Sequence, residues 1–268
     1  MSMPFRPRKR WGQHFLVDAN IARKIVDALQ ATPSDPVVEI GPGTGALTHW
    51  LLQRYTQLTA IELDTRAVAA LKARWPSLDV RATDVLKVNW SALAAEKGHR
   101  LHVIGNLPYY ITSPILFALF EARDALTEAV LMMQREVAER LVASPNHKTY
   151  GILSVVAQLW ATPEWLFSVS PNVFRPKPHV ESAVVRLSFT QPLPPVDVNL
   201  LRQIIRTAFN QRRKTLRNSL CRLLPPGLQL PEPWAKARAE ALRPIDYVEL
   251  ACWLQQQTAP TAALQKAV

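Results

Sequence analysis

The sequence predicts an α/β fold, a mainly parallel sheet covered by helices, followed by a small all-helical C-terminal domain. Three observations carry that expectation. Short apolar runs VVEI (37–40), LTAIEL (58–63), LDVRATD (78–84), LHVIGN (101–106) and AVLMMQ (129–134) alternate with amphipathic stretches such as IARKIVDAL and TRAVAALKARW. Such alternation points to βαβ units and a parallel sheet covered on both faces. The Pro-rich TQPLPPVD (190–197) then ends the pattern. After it, VNLLRQIIRTAFN, RRKTLRNSLCRLL, EPWAKARAEAL and IDYVELACWLQQQ all carry a helical period. Between these regions, EWLFSV (164–169) and SAVVRLSF (182–189) read as further strands, the last antiparallel at the sheet edge. The expected organisation is a basic N-terminal segment (1–24), a Rossmann-like domain (25–190), a helical domain (191–257) and a frayed tail (258–268).

With 268 residues the chain has ample sequence for a real core. Its two cysteines, Cys221 and Cys252, have neither metal-ligand nor redox-motif spacing, and the six histidines suggest no metal site. The start, MSMPFRPRKRWGQHF, lacks the apolar region of a secretion signal, and no run reaches the ~18 apolar residues of a membrane span. A cytoplasmic, monomeric protein without a membrane partner is expected. The net charge of +11 is segregated: residues 1–24 carry +5, residues 190–268 carry +6, and the middle sums to zero. Basic residues clustered at both ends suit a polyanionic partner, because Lys and Arg on phosphates release condensed counterions.

Open α/β sheets bind ligands beyond the carboxyl ends of their strands, so the polar residues ending each strand are the ones to inspect. These are Glu39, Glu62, Asp84 and Asn106, separated by 23, 22 and 22 positions. EIGPGTGALT supplies a tight turn in which Gly41, Gly43 and Gly45 let a ligand approach the backbone. A glycine turn and a carboxylate at Glu62 suit the ribose of NAD and of S-adenosylmethionine (SAM) alike. Asp84 favours SAM, since it is placed to accept from the exocyclic amine of that cofactor's adenine. As a purely structural residue, it would cap the next helix.

VIGNLPYY (103–110) places an amide, a proline and two aromatic residues after the fourth strand. The lone pair of a planar amine such as adenine N6 is delocalised into its ring. Two acceptors on its hydrogens favour a pyramidal nitrogen and free that lone pair to attack a methyl group in line. Asn106 Oδ1 and the Leu107 carbonyl are suited to this role, and Pro108, lacking an N–H, fixes the turn. Tyr109 would stack on a base flipped out of its helix.

GQHFL, VEIGPGTGALT, IELD, GNLPYYI, PKPHVESAVVRL and AFNQRRKTLRNSL resemble motifs of the small-subunit ribosomal RNA adenine dimethyltransferases of the KsgA type, and the likeness runs to about residue 255. The resemblance implies a SAM-dependent enzyme adding two methyl groups to N6 of each of two neighbouring adenosines in the 3′-terminal hairpin loop of 16S rRNA. It also implies action on an immature small ribosomal subunit during its assembly. Carried over residue by residue, it implies a cofactor site of His14, Leu16, Gly41, Gly43, Glu62, Asp84 and Asn106. It implies an aromatic pair, Tyr109 and Phe174, bracketing the target base. His14 stands where many relatives have Asn, Lys177 departs from a Phe-x-Pro-Pro-Pro pattern, and Tyr110 is variable in the family. Rrna phosphate contacts are expected from Arg8, Lys9, Arg10, Arg212, Arg213, Lys214 and Arg217, with Arg213 and Arg217 four apart on one helix face.

Other readings account for less. A 23S rRNA methyltransferase of the resistance type shares the fold and an Asn-x-Pro-Tyr motif but usually lacks FNQRRKTLRNSL. A non-catalytic assembly factor on the same fold has no need of Glu62, Asp84, Asn106 and Tyr109 together. A nicotinamide oxidoreductase leaves NLPY and the basic ends without purpose.

Overall fold

The computed structural model of the protein describes residues 13–190, 192 and 195–258. Nine strands occur among them: β1 (Phe15–Leu16), β2 (Pro36–Ile40), β3 (Gln57–Glu62), β4 (Asp79–Ala82), β5 (Leu101–Asn106), β6 (Leu126–Gln134), β7 (Thr162–Val169), β8 (Phe174–Arg175) and β9 (Ser182–Ser188). Seven form one sheet in the order β4-β3-β2-β5-β6-β9-β7, and β1 pairs with β8 in a separate two-stranded ladder. β2 to β6 are mutually parallel, whereas β9 runs antiparallel to both β6 and β7. Thus SAVVRLSF is antiparallel as expected but lies inside the sheet, and β7 takes the edge.

Every residue of β2 and all but Asn106 of β5 are buried, which accounts for the apolar runs. The helices covering the sheet start where short polar side chains cap them. Asp18 accepts from the N–H groups of Asn20 and Ile21 at 2.9 and 3.0 Å ahead of the helix Ala19–Asp27. Asp64 does the same from Arg66 ahead of Thr65–Arg74. Ile25, Val26, Leu51, Leu71, Val130 and Val184 contribute to one continuous core around the sheet.

The chain divides into two compact units. One runs to Val142 and resumes at Trp160; the second combines Ala143–Leu159 with the chain from Pro192 onward. The expected Rossmann-like span of 25–190 is therefore interrupted, because 143–159 belongs to the helical unit. Tyr150 anchors that insertion: its hydroxyl donates to the Leu242 carbonyl at 2.8 Å and its ring lies 6.1 Å from Phe209. The helix Val198–Asn210 is capped by Asp197 and buries Leu201, Ile204, Ile205 and Ala208, a one-faced helical period.

RRKTLRNSLCRLL and EPWAKARAEAL do not form the long helices their period suggests. Only Leu216–Ser219 is α-helical there, with short 3-10 turns at Trp234–Lys236 and Ala239–Ala241. The backbone is engaged otherwise: Leu216 N–H donates to the Ala237 carbonyl at 2.8 Å, Thr215 bridges to Arg238, and the Tyr247 hydroxyl donates to the Ala239 carbonyl at 2.6 Å. No described helix is long and apolar enough to cross a membrane.

Candidate active site

The carboxyl ends of β2, β3 and β5 open onto a cavity of about 790 Å³, counting the solvent at its mouth. Of the residues expected at the site, His14, Gly41, Gly43, Glu62, Asp84, Asn106, Leu107, Pro108 and Tyr109 all line it. The βα repeat thus delivers three of the four strand-end polar groups to one place. Glu39 is the exception: next to last in β2, its side chain is buried and receives the Thr48 hydroxyl at 2.6 Å.

Glu62 is held by the backbone. Its Oε2 accepts from Gly43 N–H at 3.1 Å and its Oε1 from Asp64 N–H at 2.8 Å. Burial pushes its pKa up and those two N–H groups pull it back down, with burial the larger effect. Gly43 is in the left-handed region at φ +55°, and a Cβ there would stand 2.9 Å from the Phe15 ring. Glycine is thus required both by the backbone and by the space. Asp84 lies two residues beyond β4 and accepts from Leu86 N–H at 3.0 Å, so one carboxylate oxygen caps the 3-10 turn Val85–Lys87. The capping reading and the site reading are both met by this one residue, since it also lines the cavity. Ile61, Leu63 and Val85, which sequence reasoning did not single out, add apolar walls.

At the end of β5 the Asn106 amide is oriented by a partner from another segment: its Nδ2 donates to the His14 carbonyl at 3.1 Å. That bond fixes which end of the amide is which, and leaves Oδ1 as the acceptor. Leu107 N–H donates to Met132 O at 2.9 Å, continuing the β5–β6 ladder into the motif. Pro108 has φ −65°, and its carbonyl receives the Thr112 hydroxyl at 3.1 Å. The Tyr109 hydroxyl lies 2.6 Å from Ser182 Oγ, and the His14 imidazole stacks on the Tyr109 ring at 5.3 Å and 29°. His14 Nδ1 is 2.8 Å from the Pro176 carbonyl, which can only accept, so the proton sits on Nδ1.

Several expected residues are placed elsewhere. Leu16 does not line this cavity: β1 pairs it with Phe174, and its side chain enters the core. Phe174 is fully buried in the same core among Leu16, Val169 and Val184, because β8 turns its ring inward. The ring facing Tyr109 is therefore His14. Arg8, Lys9 and Arg10 lie outside the described residues. Arg212 is committed within its own unit: Nε donates to Glu240 at 2.6 Å and its terminal nitrogens to the carbonyls of Lys148 and His147 at 3.2 and 3.4 Å. It is not a free phosphate ligand. Arg213 and Lys214 are exposed, but the helix ends at Asn210 and Arg213 sits in a turn, so it does not share a helix face with Arg217. Arg217 is exposed and 3.5 Å from Glu232, a surface pair of little energetic weight.

A buried carboxylate held by backbone N–H groups, opposite an oriented amide oxygen and an aromatic ring, defines a class: a SAM-dependent methyltransferase directed at an exocyclic amine. The glycine turn at Gly41 and Gly43 and the apolar walls fit that cofactor without a side chain in the way. The chain belongs to the ribosomal RNA adenine dimethylase family, whose profile matches residues 5–256. It is 53% identical over 263 residues to the ribosomal RNA small subunit methyltransferase A of Salinibacter ruber, covering 97% of this chain and 89% of that one. Identity to the Yersinia pestis protein of the same name is 46%, covering 94% and 95%. Among solved structures, a dimethyladenosine transferase from Plasmodium falciparum matches with a TM-score of 0.78 at 26% identity, over 91% of this chain and 98% of that one. The 23S rRNA methyltransferase ErmE matches at 0.68 and 25%, over 90% and 100%. The protein is thus an rRNA adenine methyltransferase that uses SAM.

Proposed function

We propose that the enzyme adds two methyl groups to N6 of each of two adjacent adenosines in the 3′-terminal hairpin loop of 16S rRNA. It acts as a cytoplasmic monomer on precursors of the small ribosomal subunit and serves there during assembly. Support for the substrate comes from relatives of 53% and 46% identity named for the small subunit. Support for the chemistry rests above all on one observation, the Asn106 amide anchored through Nδ2 to the His14 carbonyl with Oδ1 left to accept.

When bound, SAM supplies a methyl group activated by its sulfonium. Glu62 would accept from the ribose hydroxyls of the cofactor and Asp84 from its adenine amine, and Gly41 and Gly43 would let it lie against the backbone. The target adenine, flipped from its hairpin, stacks on Tyr109. Asn106 Oδ1 and the Leu107 carbonyl accept from the N6 hydrogens, two in the first transfer and one in the second, which favours a pyramidal nitrogen with its lone pair free. Bound SAM would supply the methyl group and leave as the thioether, and the surplus N6 proton would pass to water. No general base is required. Exposed Arg213, Lys214, Arg217 and Lys177, with Arg8, Lys9 and Arg10, hold rRNA phosphates.

The test is transfer from labelled SAM to small subunits from cells lacking this modification, with product nucleosides identified by mass spectrometry. The expected product is N6,N6-dimethyladenosine in the 3′-terminal hairpin. Transfer to 23S RNA alone would replace this substrate with that of the ErmE-like reading. SAM binding without transfer to either would mark an assembly factor.

The carboxylate at Glu62 also predicts a pH dependence. Ribose hydroxyls need the ionised form, and burial raises its pKa. SAM affinity therefore falls as the pH drops through that raised value, by at most about tenfold per pH unit. The decline sets in at higher pH than for a solvent-exposed glutamate. Calorimetric titration from pH 8 to pH 5 checks it, and Glu62→Gln abolishes both the slope and most of the affinity.

A further inference from the structure

We infer that Ser182 is a positioning residue for methyl transfer, holding the Tyr109 ring in the plane on which the target adenine stacks. This rests on the reading of Tyr109 as the base platform. Strand ends carry the chemistry of this sheet, but β9 runs antiparallel, so its first residue reaches the edge where its parallel neighbours end. Ser182 is that residue. Its register sets it opposite Gln134 of β6 and Val169 of β7, so its backbone is tied on both sides. Its side chain is fully buried, and its hydroxyl lies 2.6 Å from that of Tyr109.

Tyr109 needs such an anchor. It opens the 3-10 turn Tyr109–Ile111 and stands half-buried in the cavity wall, where packing does not hold the ring on all sides. The hydroxyl bond pins the far end of the ring, and the His14 imidazole at 5.3 Å covers one face. Burial also pushes the phenol's pKa up, so the hydroxyl stays protonated and can donate. A ring held at its hydroxyl and covered on one face presents one plane to an incoming base and loses little rotational freedom when the base arrives. Two successive transfers to one nitrogen make this important, because the singly methylated base must be presented again in the same plane.

A double-mutant cycle tests the inference, using Ser182→Ala, Tyr109→Phe and the double variant on the rRNA that the wild-type enzyme methylates. Ser182→Ala leaves the partly buried Tyr109 hydroxyl without its partner, and the expected loss in kcat/KM for RNA is roughly five- to thirtyfold. Singly methylated adenosine should accumulate, while SAM affinity stays at the wild-type value. Tyr109→Phe keeps the ring but removes the same bond, so the double variant should be no worse than the more impaired single variant. Independent, multiplying losses would overturn the inference. So would a Ser182→Ala enzyme that melts earlier yet turns over normally per folded molecule, because the serine would then serve only the fold. A wild-type enzyme methylating 23S rather than 16S RNA would overturn the substrate reading alone, since the cycle concerns the adenine whichever RNA carries it.

Discussion

Replacing Asn106 by alanine lowers the single-turnover rate of methyl transfer by roughly 10²- to 10³-fold, the scale seen when one preorganised polar group facing a developing charge is removed. In the proposed mechanism the reacting N6 gains positive charge as it attacks, and the oxygens accepting from it would stabilise that charge more in the transition state than in the ground state. The effect therefore falls on the chemical step. SAM affinity changes far less, because Glu62, Asp84 and the glycine turn remain in place. The Nδ2 bond to the His14 carbonyl means that the amide needs no reorientation when the base arrives. Rapid-quench transfer at saturating SAM and RNA, beside SAM titration of the same variant, separates the two quantities. A variant with a normal rate and a weakened KM would show that Asn106 binds the base without promoting attack.

The parts of the fold legible in the sequence are those in which one residue pattern has one physical meaning. β2, β3 and β5 are apolar runs because both faces are covered, and their observed limits fall within a residue of the expected ones. Val198–Asn210 shows its buried face as Leu201, Ile204, Ile205 and Ala208. Strand order is a different matter, since no periodicity says whether an antiparallel strand takes the edge or the interior. That is why the expected edge strand, β9, lies inside the sheet and β7 takes the edge. It is also why Ser182 escaped notice: looking only at the last residues of strands passes over the first residue of one that runs the other way.

Two other misses share a cause. Residues 212–224 carry a helical period, but the backbone after Asn210 turns and then pairs with Ala237 and Arg238, and pairing partners far apart in sequence leave no local mark. Motif likeness places Leu16 at the cofactor and Phe174 at the target base, and the β1–β8 ladder sends both side chains into the core. Within the candidate site, groups that act through a strand end or a glycine turn were legible. Those that depend on tertiary contact, such as the His14 ring on Tyr109, were not.

Glutamine at position 39 should make the protein more stable than wild type, by a margin that grows with pH. Burial raises the Glu39 pKa from 4.5 to about 8, with the nearby Glu62 charge adding to the effect and the Thr48 hydroxyl opposing it. At neutral pH the folded protein holds Glu39 protonated while the unfolded chain has released that proton. Between 4.5 and about 8 the folded state thus binds the extra proton, and this group's contribution to stability falls as the pH rises. The slope is about 1.4 kcal/mol per pH unit, which accumulates to about 5 kcal/mol across the interval. Glutamine carries no ionisable proton and keeps an oxygen to accept from Thr48, so it escapes that loss. Denaturant unfolding of both proteins at several pH values gives the difference directly. Near pH 4 the two should be alike, and the gap should widen steadily until about pH 8 and then level off. A gap independent of pH would mean that Glu39 is ionised in the folded protein, and a buried carboxylate beside Glu62 would then require a cation that pairs with both. Under the expected outcome, a neutral Glu39 beneath the glycine turn leaves the Glu62 charge undisturbed by a second carboxylate. That lets one group face the ribose as an ion while its neighbour, 23 residues earlier, stays an acid.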